Sequence, residues 1–121
     1  MFIPCSEKQG SAYFEFQYCK KEWDIKKILK KGYSFKEKDS LLVRVDNGKA
    51  FFENYGDYLR NPILSKETQE LDPYGVNYYT KEQTLAIREQ IVNDRPKGFE
   101  VFAEWLEKAI REYNGFFFLG I

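Results

Sequence analysis

The sequence predicts a single α+β domain spanning residues 1–121, a mainly antiparallel sheet of about four strands covered by an antiparallel pair of C-terminal helices. Three observations predict it. Phe99, Phe102, Leu106, Ile110 and Tyr113 recur at helical spacing, and Val101, Trp105 and Ala109 widen the same apolar face. Asn114 and Gly115 then supply residues that readily end a helix, and the run FFFLGI is too short and too aromatic for another, so residues 116–119 read as a buried strand. Upstream, Thr80 and Gln83 have the spacing of a capping box and precede Leu85, Ile87, Ile91 and Val92. A helix over residues 80–93 and another over about 96–113 are therefore joined by a connection short enough to fold the second back on the first.

From the N-terminus, Ala12, Phe14, Phe16 and Tyr18 alternate with Tyr13, Glu15 and Gln17, the period of a strand with one buried face, over residues 12–18. Trp23, Ile25, Ile28 and Leu29 among Lys20, Lys21, Lys26, Lys27, Lys30 and Lys31, with Gly32 just after, predict a short basic amphipathic helix near residues 21–31. Residues 41–45 read as a strand, and Asn47-Gly48 as the type I′ turn of a hairpin returning through Ala50, Phe51 and Phe52 toward Tyr55. Between Asn61 and Tyr79, Pro62, Pro73 and Gly75 predict an irregular but packed excursion, with one possible helical turn that Ser65 would cap.

Composition limits the function classes. A chain of 121 residues can bury roughly two-thirds of its unfolded surface without a covalent staple. Against one Met stand 11 Phe, 9 Tyr and 2 Trp, so the core is expected to be built from rings, with several of the phenols at the surface. Formal net charge is zero, but residues 1–50 hold 11 basic and 7 acidic groups, while residues 51–121 hold 8 and 12. This uneven placement suits a protein partner; ordinary solvated surface is the plainer reading. Cys5 and Cys19 fit neither a disulfide framework nor a zinc site, and no segment has the length of a signal peptide or a membrane span, so a cytoplasmic protein with reduced thiols is expected.

There is no histidine, which removes Ser-His and Cys-His nucleophile systems, and no phosphate loop, dinucleotide fingerprint or metal motif. No cofactor, no metal and no catalytic residue are expected. The only enzymatic arrangement left is a glycosidase-like carboxylate pair, Glu53 with Asp57 or Glu67 with Glu70, a spacing that 19 acids produce by chance. As a group the acids are better suited to binding: Glu53, Asp57, Glu67, Glu70 and Asp72 lie among Tyr55, Tyr58 and Tyr74, with Arg60 and Lys66 the only bases of that segment. Rigid phenols among carboxylates suit a basic protein partner. The competing possibility is that the tyrosines pack inward and the acids merely solubilise the loop.

PYGVNYYT at residues 73–80, the two helices after it, the aromatic run and the closing LGI together resemble small cytoplasmic immunity proteins of bacterial toxin systems, of the contact-dependent growth inhibition kind. The resemblance covers roughly residues 50–121. It implies a protein that binds one cognate toxin, often a nuclease with a basic active site, and blocks it without chemistry. The expected partner-binding residues are then Glu53, Asp57, Tyr58, Glu67, Glu70, Asp72 and Tyr74, with neither a membrane nor a nucleic acid as partner. The alternative function is a nucleic-acid-binding or regulatory domain using the lysines between Lys20 and Lys38.

Overall fold

Phe116–Leu119 lies inside the sheet, hydrogen-bonded on both edges. The computed structural model describes residues 1–7, 12–20, 37–64 and 70–120. Its elements are β1 (Phe2–Pro4), β2 (Tyr13–Tyr18), β3 (Leu41–Arg44), α1 (Gly48–Tyr55), β4 (Ile63–Leu64), β5 (Val76–Tyr79), α2 (Lys81–Asp94), α3 (Phe99–Arg111) and β6 (Phe116–Leu119). Short 3-10 turns occupy Cys5–Glu7, Val45–Asn47 and Gly56–Leu59. The six strands run in the order β1-β3-β2-β6-β5-β4 and every pair is antiparallel. The fold is thus α+β as predicted, with more strands than the expected four; the predicted basic helix near residues 21–31 lies outside the described residues, as do residues 65–69 of the possible Ser65-capped turn.

Alternation along β6 divides its side chains between two faces. Phe116 and Phe118 join the main core with Phe14, Phe16, Phe51, Phe102, Trp105 and Leu106, whereas Phe117 and Leu119 pack with Cys19 and Tyr78 on the other face. Both faces are buried, which is why four consecutive apolar residues are tolerated here. The same holds for β2, where the expectation of one buried face needs correction: all six residues are buried, Glu15 and Gln17 included. Their polarity serves a hydrogen-bond network rather than water. Glu15 Oε2 accepts from Ser40 Oγ at 2.6 Å, Gln17 Nε2 at 2.8 Å and the Glu37 backbone N–H at 3.3 Å.

The expected hairpin at Asn47-Gly48 does not form. Asn47 has φ −95° and Gly48 φ −55°, where a type I′ turn needs both positive, and the chain enters α1 instead. Residues 48, 51 and 55 are buried at helical spacing, and β1 and β2 already occupy both edges of β3, leaving no edge for a returning arm. Gly48 lies in close approach to the core, and a Cβ there would sit 3.2 Å from the Phe14 ring, which would have to yield by a few tenths of an ångström. The irregular reading of residues 61–79 is likewise too coarse, because β5 forms there beside β6.

The helices follow their sequence signals closely. Thr80 Oγ1 accepts from the Gln83 N–H at 3.1 Å while Gln83 Oε1 accepts from the Thr80 N–H at 2.9 Å, the reciprocal capping box. Arg95, in the left-handed region, ends α2, and Gly98 at φ 78° starts α3 later than expected. The two helices pack on each other, with Arg88 Nε donating to the Ala103 carbonyl at 3.1 Å. Gly115, at φ 89°, admits β6 to the sheet, since a Cβ there would collide with the Tyr79 carbonyl.

Three buried phenols bridge these layers. Tyr79 donates to the Leu59 carbonyl at 2.6 Å, Tyr55 to the Lys97 carbonyl at 2.6 Å and Tyr18 to the Trp105 carbonyl at 3.2 Å. Burial pushes all three above the ordinary tyrosine range, Tyr55 to about 12, with Asp39 raising Tyr18 further and Glu100 raising Tyr55.

Two predictions follow from this core. Phe102→Ala should lower unfolding free energy by about 3–5 kcal/mol in urea titration, because Phe102 is fully enclosed and contacts rings on every side. Raised folded pKa values mean that the unfolded chain releases these protons first. The stabilisation is complete below about pH 10 and is lost as pH rises toward the folded values, by up to about 1.4 kcal/mol per pH unit for each phenol. The phenolate absorbance of these three tyrosines should therefore appear only together with the loss of circular dichroism; ionisation of all nine tyrosines with the dichroism intact would contradict this.

Candidate functional site

Leu59 is fully buried, and this anchors the 3-10 turn Gly56–Leu59 so that Asp57 and Tyr58 are carried along its outer side. The Tyr58 hydroxyl reaches across to the end of α2 and donates to Asp94 Oδ2 at 2.8 Å, while its half-buried ring lies against Tyr55. Asn93 Nδ2 donates to the other Asp94 oxygen at 3.0 Å. Gln83 Nε2, on the first turn of α2, donates to the Asn61 carbonyl at 2.8 Å and fixes the far end of the same seam. Between turn and helix runs a shallow groove of about 490 Å3 lined by Asp57, Tyr58, Glu89, Gln90, Asn93 and Asp94. It continues past Arg60, Asn61 and Ile87 and, on the other side of Asp57, toward Glu70 and Leu71.

Among the described residues, four carboxylates line this seam, Asp57, Glu70, Glu89 and Asp94, with one cation, Arg60. Arg60 Nη2 sits 2.8 Å from Asp57 Oδ1, both side chains largely exposed, so that pair contributes about 1 kcal/mol or less. The hydrogen bond to Asp94 raises the Tyr58 pKa, because ionising the phenol would place a second negative charge beside the carboxylate.

Of the residues expected at a partner surface, Asp57 and Tyr58 line the groove together, and Glu70 lines the concavity that adjoins it at Asp57. Glu53 is exposed on α1 but does not line the groove. Asp72 works in a turn: its Oδ1 accepts from the Tyr74 N–H at 2.9 Å, its backbone N–H donates to Asn77 Oδ1 at 2.7 Å, and its carbonyl accepts from Asn77 Nδ2 at 2.8 Å. Tyr74 projects from that turn, 74% exposed and apart from the groove. Glu67 lies outside the described residues. The tyrosines of the segment divide, with Tyr55 enclosed, Tyr58 half-buried and Tyr74 outside.

Sequence reasoning missed Glu89 and Asp94. They belong to a helix whose own pattern explains them as its polar face, and only the packing of the 56–59 turn against α2 makes them part of an acidic groove. Among the described residues no group of three or more His, Cys, Asp or Glu could hold a metal ion, and no helix is long and apolar enough to cross a membrane. Of the lysines considered for nucleic acid, Lys20 is engaged with Asp39 at 3.0 Å and Glu37 at 3.9 Å, Lys38 is exposed, and residues 21–36 lie outside the described residues. No protein-family model matches this chain, and neither the curated proteins nor the solved structures contain a significant match.

Asp94→Asn removes the charge that opposes ionisation of Tyr58 and should bring that phenol back down toward the ordinary tyrosine value of about 10. Carbon-13 labelling at tyrosine Cζ follows each phenol separately; an unchanged Tyr58 titration would mean that the bond to Asp94 is not what raises it.

Proposed function

We propose that this chain is a non-catalytic cytoplasmic protein that binds and neutralises one cognate bacterial toxin, as immunity proteins of contact-dependent growth inhibition systems do, and that the acidic groove receives a basic surface of that toxin. The observation that carries this reading is the placement of Asp57, Glu89 and Asp94 beside the half-buried Tyr58, with Arg60 the one cation among the described residues of the adjoining lining. A phenol already held by Asp94 presents a flat surface at little conformational cost, and carboxylates around it attract Lys and Arg side chains. A nuclease active site, which must hold phosphate, is a surface of complementary sign. Blocking such a site needs affinity and orientation and no proton transfer, so the absence of histidine from the sequence is no handicap.

The test uses inactive variants of polypeptides from reading frames adjacent to this chain's own, screened for binding. Wild-type protein should bind one of them, with an association rate that falls as salt rises. Asp57→Lys with Glu89→Lys places like charges opposite the partner and should weaken binding at least about ten-fold, mainly by slowing association. Its melting temperature should stay close to wild type, since both side chains are exposed. Absence of binding by wild type, or unchanged affinity of the double variant, would contradict the proposal.

A further inference from the structure

A second concavity, sharing no lining residue with the acidic groove, opens between α3 and the turn that leads into β3. Its volume of about 400 Å3 falls in the range that encloses small ligands. One wall is aromatic and firmly held. The Trp105 ring stacks on Tyr18 with centroids 4.1 Å apart, its indole N–H donates to the Asp39 carbonyl at 2.9 Å, and the Tyr18 hydroxyl donates to the Trp105 carbonyl. Leu41 and the exposed Val101 extend the apolar lining.

The charges around this wall are unequal in what they have left to offer. Asp39 is engaged by Lys20 at 3.0 Å, and Glu107 by Arg88 at 3.6 Å and Arg111 at 3.5 Å. Lys38, Lys108 and Glu104 make no ion pair among the described residues, and Lys108, which lines the cleft, holds its ammonium 5.8 Å from the centroid of the Tyr18 ring. Two cations without an ion-pair partner among the described residues, against one such anion, favour a negatively charged ligand, and the aromatic wall favours a flat apolar body. Glu104 opposes a second negative charge, which argues against phosphate-like dianions. We propose that this cleft binds a small aromatic monocarboxylate, with its ring against Trp105 and its carboxylate between Lys38 and Lys108.

Titration of the nitrogen-15-labelled protein with 2-naphthoate tests this, with 2-naphthylmethylamine as the cation of the same shape. Naphthoate should shift the Trp105 indole signal and the Asp39 and Leu41 amides with Kd below about 1 mM, and the amine should bind at least about ten-fold more weakly. Lys38→Gln with Lys108→Gln should weaken naphthoate at least about five-fold, and Glu104→Gln should tighten it, both without change in melting temperature. Absence of shifts at the cleft, equal affinity for the two probes, or a lysine double variant that binds like wild type would each overturn the proposal.

Discussion

The packing of Phe16 against its neighbours is the constraint on which the other elements depend. Its ring lies within 6.1 Å, centroid to centroid, of Phe2, Phe51, Phe102, Trp105, Phe116 and Phe118, side chains drawn from β1, α1, α3 and β6. Phe16 and Phe118 are also direct cross-strand partners in the β2–β6 ladder. Moving β6 by one residue would exchange Phe116 and Phe118 for Phe117 and Leu119 on the helix side, so sheet register and helix packing are set together. Rings have few torsions and prefer tilted or edge-on contacts, and a core made of them holds its elements at defined angles.

That rigidity reaches the groove through phenols. Tyr79, on the strand next to β6, holds the Leu59 carbonyl of the 56–59 turn, and Tyr58 of the same turn holds Asp94 at the end of α2. Tyr55 fixes the α2–α3 connection through the Lys97 carbonyl. The carboxylates of Asp57, Glu89 and Asp94 are consequently displayed on backbone that the core has already ordered. A partner binding there would not have to bring the two walls together, and preorganisation of this kind strengthens binding without adding contacts.

Where one local signal decided an element, the sequence was sufficient. Thr80 and Gln83 identify the start of α2, Phe102 and Leu106 mark the buried stripe of α3, and FFFL announces a strand. Where two signals competed, tertiary context decided. Asn47-Gly48 is a hairpin dipeptide, yet the apolar spacing at 48, 51 and 55 is helical, and both edges of β3 were taken. Glu15 and Gln17 look like a solvent-facing row, but Ser40 and Glu37, distant in sequence, turn them into a buried network. The site was legible in part for the same reason. Asp57 and Tyr58 are local to one turn, while Glu89 and Asp94 enter only through contact with α2, and Asp72 is bound up in its own turn.

The central claim is that the face between the 56–59 turn and α2 meets a basic protein partner. Its most direct test is amide chemical-shift mapping of the labelled protein saturated with the inactive form of the basic polypeptide that binding assays identify as its partner. Line broadening and large shifts should concentrate at residues 56–61 and 86–95 and at Glu70, with the α3 cleft unperturbed. A footprint centred on another face, leaving Tyr58 and Asp94 unchanged, would contradict it.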